Sequence, residues 1–110
     1  MTTIEPGDFG VANIPFTNGA DSKKPPILLV WLDGEDVVAA VVTSVKPRSQ
    51  TDVFLNDWSV SGLRVASTVR LSRLDCLDKS LLLGKKIWQI SQADAAAVKQ
   101  VWELYVKPQF

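Results

Sequence analysis

The side chains able to do chemistry are few, and the absent ones narrow the field most. The 110-residue chain has no His, which removes the group that titrates nearest neutral pH without help. A Ser-His-Asp triad, a paired-His ribonuclease site and a His-ligated zinc site are therefore excluded. The single Cys76 supplies neither an internal disulfide nor the several thiolates of a structural zinc site, and it reads as a buried packing residue. Lys79-Ser80 fails as a nucleophile pair, because neighbours on a strand point to opposite faces. Asp75 and Asp78 act as general bases only if the fold brings them to a substrate; solvation is their simpler role. No Gly-rich phosphate loop is present.

What remains is cationic and hydroxylic. Between Arg64 and Leu74 the pattern alternates, with Val65, Val69 and Leu71 on one face and Arg64, Thr68, Arg70 and Ser72 on the other. That strand offers a polar, cationic row. Lys23, Lys24, Lys46 and Arg48 fall in two loops, where they either guide a nucleic-acid backbone or are simply solvated. Trp58 lies among Asn56, Asp57 and Ser59, so it is placed to stack on a base or fill a partner's groove. Trp31, Trp88 and Trp102 occur inside apolar patterns and read as core or dimer packing.

These residues need elements to hold them. Phe9 to Ile14 reads as a first strand, and Thr17-Asn18-Gly19-Ala20-Asp21-Ser22 as a tight turn in which Asn-Gly supplies the positive-φ positions. The runs Ile27–Leu32 and Val37–Val42 flank Asp33-Gly34 and form a hairpin, with both strands buried on two faces. From Lys46 to Gly62 the composition turns polar, which implies a long, mobile loop region with one short strand around Val53-Phe54-Leu55. Leu81 to Ile90 is a strand interrupted at Gly84. Ser91-Gln92-Ala93-Asp94 then resembles a capping box with Asp in the Glu position, so a helix starts at Gln92. Ala95, Val98, Val101, Trp102 and Tyr105 keep helical spacing, and Pro108 ends the ladder near Val106 or Lys107. Mainly β structure with one C-terminal helix indicates a small, strongly bent sheet or SH3-like barrel.

Composition sets the outer limits. The length suits one domain, spanning 1–110, able to bury a core without metal or disulfide staples. The chain carries 12 Lys+Arg against 12 Asp+Glu and is 46% apolar, which argues against a coat protein that binds nucleic acid through a large cationic excess. The balance is uneven along the chain. Residues 1–40 hold two bases and six acids (−4), 41–90 hold eight bases and four acids (+4), and 91–110 hold two of each. The basic middle reads equally as a solvated face or an anion-binding surface. The longest apolar runs have six residues, whereas a membrane helix needs about 20. The opening MTTIEPGDFG lacks the basic and apolar regions of a secretory signal, so the expected compartment is the cytoplasm and no membrane partner is expected.

Several stretches in order carry a family resemblance. Pro6-Gly7-Asp8, Ile14-Pro15-Phe16-Thr17-Asn18-Gly19 and Ser22-Lys23-Lys24-Pro25-Pro26 are followed by Val42-Thr43-Ser44, Gly62-Leu63, Ser67-Thr68-Val69-Arg70-Leu71, and Leu77-Asp78-Lys79-Ser80 with Gly84-Lys85. The set resembles the MazF/PemK family of bacterial toxins over nearly the whole chain. The resemblance implies an SH3-like barrel of the MazF/PemK/CcdB type, a homodimer, and a sequence-preferring, metal-independent endoribonuclease (mRNA interferase) on single-stranded RNA. It also implies inhibition by a cognate antitoxin and no cofactor. The expected reaction is attack of a 2′-hydroxyl on the neighbouring phosphate, leaving a 2′,3′-cyclic phosphate and a 5′-hydroxyl.

Residue by residue, the resemblance places Thr43 at the scissile phosphate with Ser44 beside it. Arg70 matches a strand-borne arginine of the PemK branch, suited by its planar fork to a phosphorane. Ser72, two residues on, stands where that branch can have an aspartate. Lys24 completes the expected catalytic set, and Lys23, Asn18, Lys46, Arg48, Gln50 and Trp58 the RNA-binding set. One position departs. Where many members read Lys-Arg-Pro, with a principal catalytic arginine, this chain reads Lys24-Pro25-Pro26. Either Lys24, Arg70 or Arg48 compensates, or the fold serves as a binding module for an antitoxin-like peptide or RNA. A CcdB-type gyrase poison is a weaker competitor, because the chain ends Lys107-Pro108-Gln109-Phe110 rather than in that group's Trp-Gly-Ile.

Overall fold

The computed structural model describes residues 4–15 and 22–110. Six strands form one antiparallel sheet: β1 (Asp8–Ala12), β4 (Pro26–Asp33), β5 (Asp36–Thr43), β6 (Asp52–Phe54), β7 (Thr68–Asp78) and β8 (Leu82–Gln89), in the spatial order β6-β7-β5-β4-β1-β8. Two short strands, β2 (Ile14–Pro15) and β3 (Ser22–Lys23), pair separately. Helix α1 (Gln92–Val101) follows β8 and runs into one wider, π-helical turn, Trp102–Val106. No helix among the described residues is long and apolar enough to cross a membrane.

The sheet curls because its two edges serve one core. Val53 of β6 and Ile87 of β8 lie at opposite ends of the strand order, yet both pack with Phe9, Leu28, Leu55 and Leu71. At Gly62 (φ +85°) the connection after β6 meets β8 directly. A Cβ there would stand 2.9 Å from Ile87 Cγ2, so only glycine allows this closure. Helix α1 covers the same core through Ala97, Val98 and Val101. A second cluster, including Ile27, Leu29, Val37, Ala39 and Leu77, fills the other side of the sheet. The middle of the β4–β5 hairpin is therefore buried on both faces, as its unbroken apolar runs imply, although β4 is exposed from Trp31 onward.

Two expectations need correction and a third is narrowed. The strand expected from Arg64 begins at Thr68 instead, and Val65 is exposed. The Ser67 hydroxyl donates to the Val65 carbonyl at 2.7 Å, a local bond that holds the chain in a turn before β7. Cys76 is exposed rather than buried. Its thiol pKa is raised, first by local desolvation and then by Asp36 and Asp33, which makes it a poor nucleophile. Trp31 and Trp88 are exposed on the single chain, which takes them out of the core and leaves dimer packing as their expected role, and Trp31 meets Trp102 edge to face at 5.8 Å.

The expected mobile loop is tied down. Asp94, 2% exposed, accepts the Asn56 and Asp57 backbone N–H groups at 3.0 and 2.9 Å. Ser91 caps the helix as expected, accepting from the Asp94 N–H at 3.1 Å. The Asp94 carboxylate thus closes no reciprocal capping box and anchors the distant loop instead.

Candidate RNA-binding cleft

The cleft is built on the end of the β5–β7 ladder. Thr43 is the last residue of β5 and pairs with Thr68, while Val41 pairs with Arg70. Thr43 Oγ1 accepts the Val45 N–H at 3.2 Å. With its acceptor role used there, the hydroxyl proton is free to point at an anion.

Further along, the ladder breaks its register. Val41 pairs with Arg70 but Ala40 pairs with Leu74, where regular antiparallel pairing would put Leu71. Residues 71–73 form the bulged segment, and bulges re-aim side chains. A space of about 270 Å³ results, lined by Ile14, Pro25, Val41, Val42, Thr43, Val45, Arg48, Arg70 and Arg73. Three arginines and one threonine line it, with no carboxylate residue among the described lining residues.

Asp52 organises two of those arginines. Its side chain is fully buried; Oδ1 accepts Arg70 Nε–H at 3.1 Å and Oδ2 accepts the Arg48 backbone N–H at 3.0 Å. The bond uses one corner of the Arg70 fork, and the two terminal amino groups remain for a ligand.

Of the residues named from sequence, the structure brings Thr43, Arg48 and Arg70 together, with Pro25 in the same wall. Ser44, Lys24, Lys46 and Gln50 are exposed beside the cleft's lining segments but do not line it. Ser72 is exposed and outside the lining, whereas Arg73 is in it. The reason is the bulge, which overrides the simple two-residue alternation. Trp58 is half-buried, packs against the core with Leu55 and Leu63, and does not line the cleft. Lys23 lies in β3 opposite Ile14. Asn18 lies outside the described residues.

The two other acids considered as bases stand apart from the lining. Asp78 holds the turn after β7, accepting the Ser80 N–H at 2.8 Å. That bond, then the Ser80 hydroxyl, lowers its carboxyl pKa. Asp75 has one carboxylate oxygen buried without a hydrogen-bond partner. Sequence reasoning missed Arg73 and Asp52. The adjacent polar pair Ser72-Arg73, which breaks strict alternation, is a sequence signal for the first, and the second shows no spacing signal at all.

The bent antiparallel sheet closed by one C-terminal helix is shared with solved MazF structures. Among solved structures, the chain is similar to MazE–MazF (Form-II) from Deinococcus radiodurans, with a TM-score of 0.73, 17% identity, and coverage of 94% of this chain and 96% of that one. It is likewise similar to an endoribonuclease in complex with its cognate antitoxin from a mycobacterial species (TM-score 0.70, 17% identity, 90% of each chain). The Mycobacterium tuberculosis toxin MazF-mt6 also matches (TM-score 0.65, 18% identity, 84% of this chain and 90% of that one). No family model and no curated protein sequence matches the chain. The fold is MazF-like, in agreement with the resemblance read from the residues.

Proposed function

We propose that residues 1–110 form a MazF-type toxin domain. In this reading it is an endoribonuclease that cuts single-stranded RNA at a preferred short sequence without a metal ion, in the cytoplasm. It acts as a homodimer and is held in check by a cognate antitoxin. The observation that carries the reading is the convergence of Thr43, Arg48, Arg70 and Arg73 on one cleft. The described fold is shared with an endoribonuclease solved with its antitoxin.

In the proposed reaction a ribose 2′-oxygen bonds to the adjacent phosphorus as the bond to the next nucleotide's 5′-oxygen breaks. The 2′-hydroxyl proton is lost, and the departing oxygen gains one. The terminal amino groups of Arg70 stabilise the charge that builds on the phosphorane, and the Thr43 hydroxyl donates to a non-bridging oxygen. Arg48 and Arg73 hold flanking phosphates, while Lys24, Ser44, Lys46 and Gln50 contact RNA beyond the scissile bond. With no lining carboxylate among the described residues, the cleft works by charge stabilisation, and we assign no side chain as general base.

Pro25 supports a second reading. It occupies the cleft wall where the resemblance leads one to expect a catalytic arginine, so a weakened toxin homologue that only binds RNA or an antitoxin peptide fits the same geometry. One experiment separates them: purified protein, free of antitoxin, is incubated with long single-stranded RNA in EDTA, beside Arg70→Ala. Cuts at a recurring short sequence, slowed at least about a hundredfold by the substitution, are the expected result. Intact RNA at high protein concentration would move the assignment to the binding module.

A further inference from the structure

We infer that Asp52 is the positioning residue of the cleft: it holds the Arg70 guanidinium and the Arg48 loop in one arrangement, through a single buried carboxylate. This rests on the reading of the cleft as an RNA-phosphate site. Three observations carry it.

The first is burial. The Asp52 side chain is 0% exposed while that of Arg70 is 27% exposed. The pair is therefore inward at the carboxylate and outward at the guanidinium, an arrangement that presents a cation to the cleft.

The second is directionality. Both carboxylate oxygens are committed, one to Arg70 Nε–H on β7 and one to the Arg48 backbone N–H in the loop after β5. One side chain thereby couples two segments that each supply a lining arginine. Arg70 and Asp52 also pair in the β6–β7 register, and the Leu71 N–H donates to the Thr51 carbonyl at 3.0 Å. The backbone beneath the ion pair is consequently fixed on both strands.

The third is what the bond leaves free. A carboxylate at Nε fixes the plane of the fork and leaves its far end to an anion, so the arginine needs little reorganisation when phosphate arrives. Arginine has many rotamers to lose on binding. Asp52 removes much of that loss in advance.

The test is a double-mutant cycle read together with an arginine side-chain spectrum. Asp52→Asn keeps the shape and removes the charge, and its melting temperature is checked against the parent. At saturating RNA, its cleavage rate should fall roughly ten- to a hundredfold with KM little changed. In an Arg70→Ala background the same change should cost clearly less than in the parent, because most of its effect runs through Arg70 and only the share carried by the Arg48 loop remains. Losses that multiply would mean a merely structural role and overturn the inference.

The second readout needs no RNA. The Arg70 Nε–H resonance, identified by its disappearance in Arg70→Ala, should be protected from solvent exchange in the parent and lose that protection in Asp52→Asn. Asp52→Glu keeps the charge and should recover part of both signals, and it carries the test if Asp52→Asn does not fold. An unchanged resonance in these variants would overturn the inference. Should the parent leave RNA intact while the resonance behaves as expected, the ribonuclease reading falls and the positioning role stands.

Discussion

Three arginines share one cleft with a threonine, and their identities trace to backbone register more than to residue type. Ser72 and Arg73 are neighbours, both exposed, yet only Arg73 lines the space. Simple alternation from Arg70 selects Ser72; the bulge at 71–73 selects Arg73. Binding of a short single-stranded RNA, followed by fluorescence anisotropy, should therefore weaken by about tenfold in Arg73→Ala, as expected for loss of a charge-assisted contact worth roughly 1.5 kcal/mol. Ser72→Ala should leave affinity within about twofold. Thr43, Arg48 and Arg70 were legible from their residue types and family resemblance. Asp52 was not, because a lone acid at the start of a three-residue strand looks the same whether it is solvated or buried beneath an arginine.

At the scale of elements, one carboxylate decides whether the segment after β6 is a loop or a wall. Asp94 sits in the first turn of α1 and takes two backbone N–H groups from 37 and 38 residues earlier. Asp94→Ala leaves both donors without their charged acceptor and should destabilise the fold by about 3 kcal/mol, measured by urea denaturation. Asp94→Asn should cost less, since its carbonyl still accepts one bond. The hairpin, the strand before the helix, the Ser91 cap and the helix end near Val106 could all be read from apolar runs, Gly34 and Pro108. The polar stretch 56–67 could not. Its composition is that of an exposed loop, and what orders it comes from Asp94, Leu55, Trp58 and Leu63 meeting in three dimensions.

The whole molecule has zero formal net charge, so long-range attraction to RNA owes nothing to total charge and depends on where charges are gathered. Contacts from Arg48, Arg70 and Arg73 to three phosphates would give a plot of log affinity against log salt with a slope of about −2, at roughly −0.7 per phosphate on a single strand. Titrations at several salt concentrations measure it, and a slope near zero would contradict a phosphate-reading cleft. The MazF-like architecture was legible from ordered short motifs spread over the chain, even though identity to the matched structures is only 17–18%. Close packing on a bent sheet constrains the spacing of turns more tightly than it constrains residue types. The Asp94 anchor also sets an order of events. During synthesis the strands up to β7 can pair while the segment after β6 still lacks the acceptor for its backbone. That segment takes its final shape only when the helix, nearly forty residues downstream, folds back upon it. The wall of the barrel is completed by an element that reaches it only after every strand of the sheet has been made.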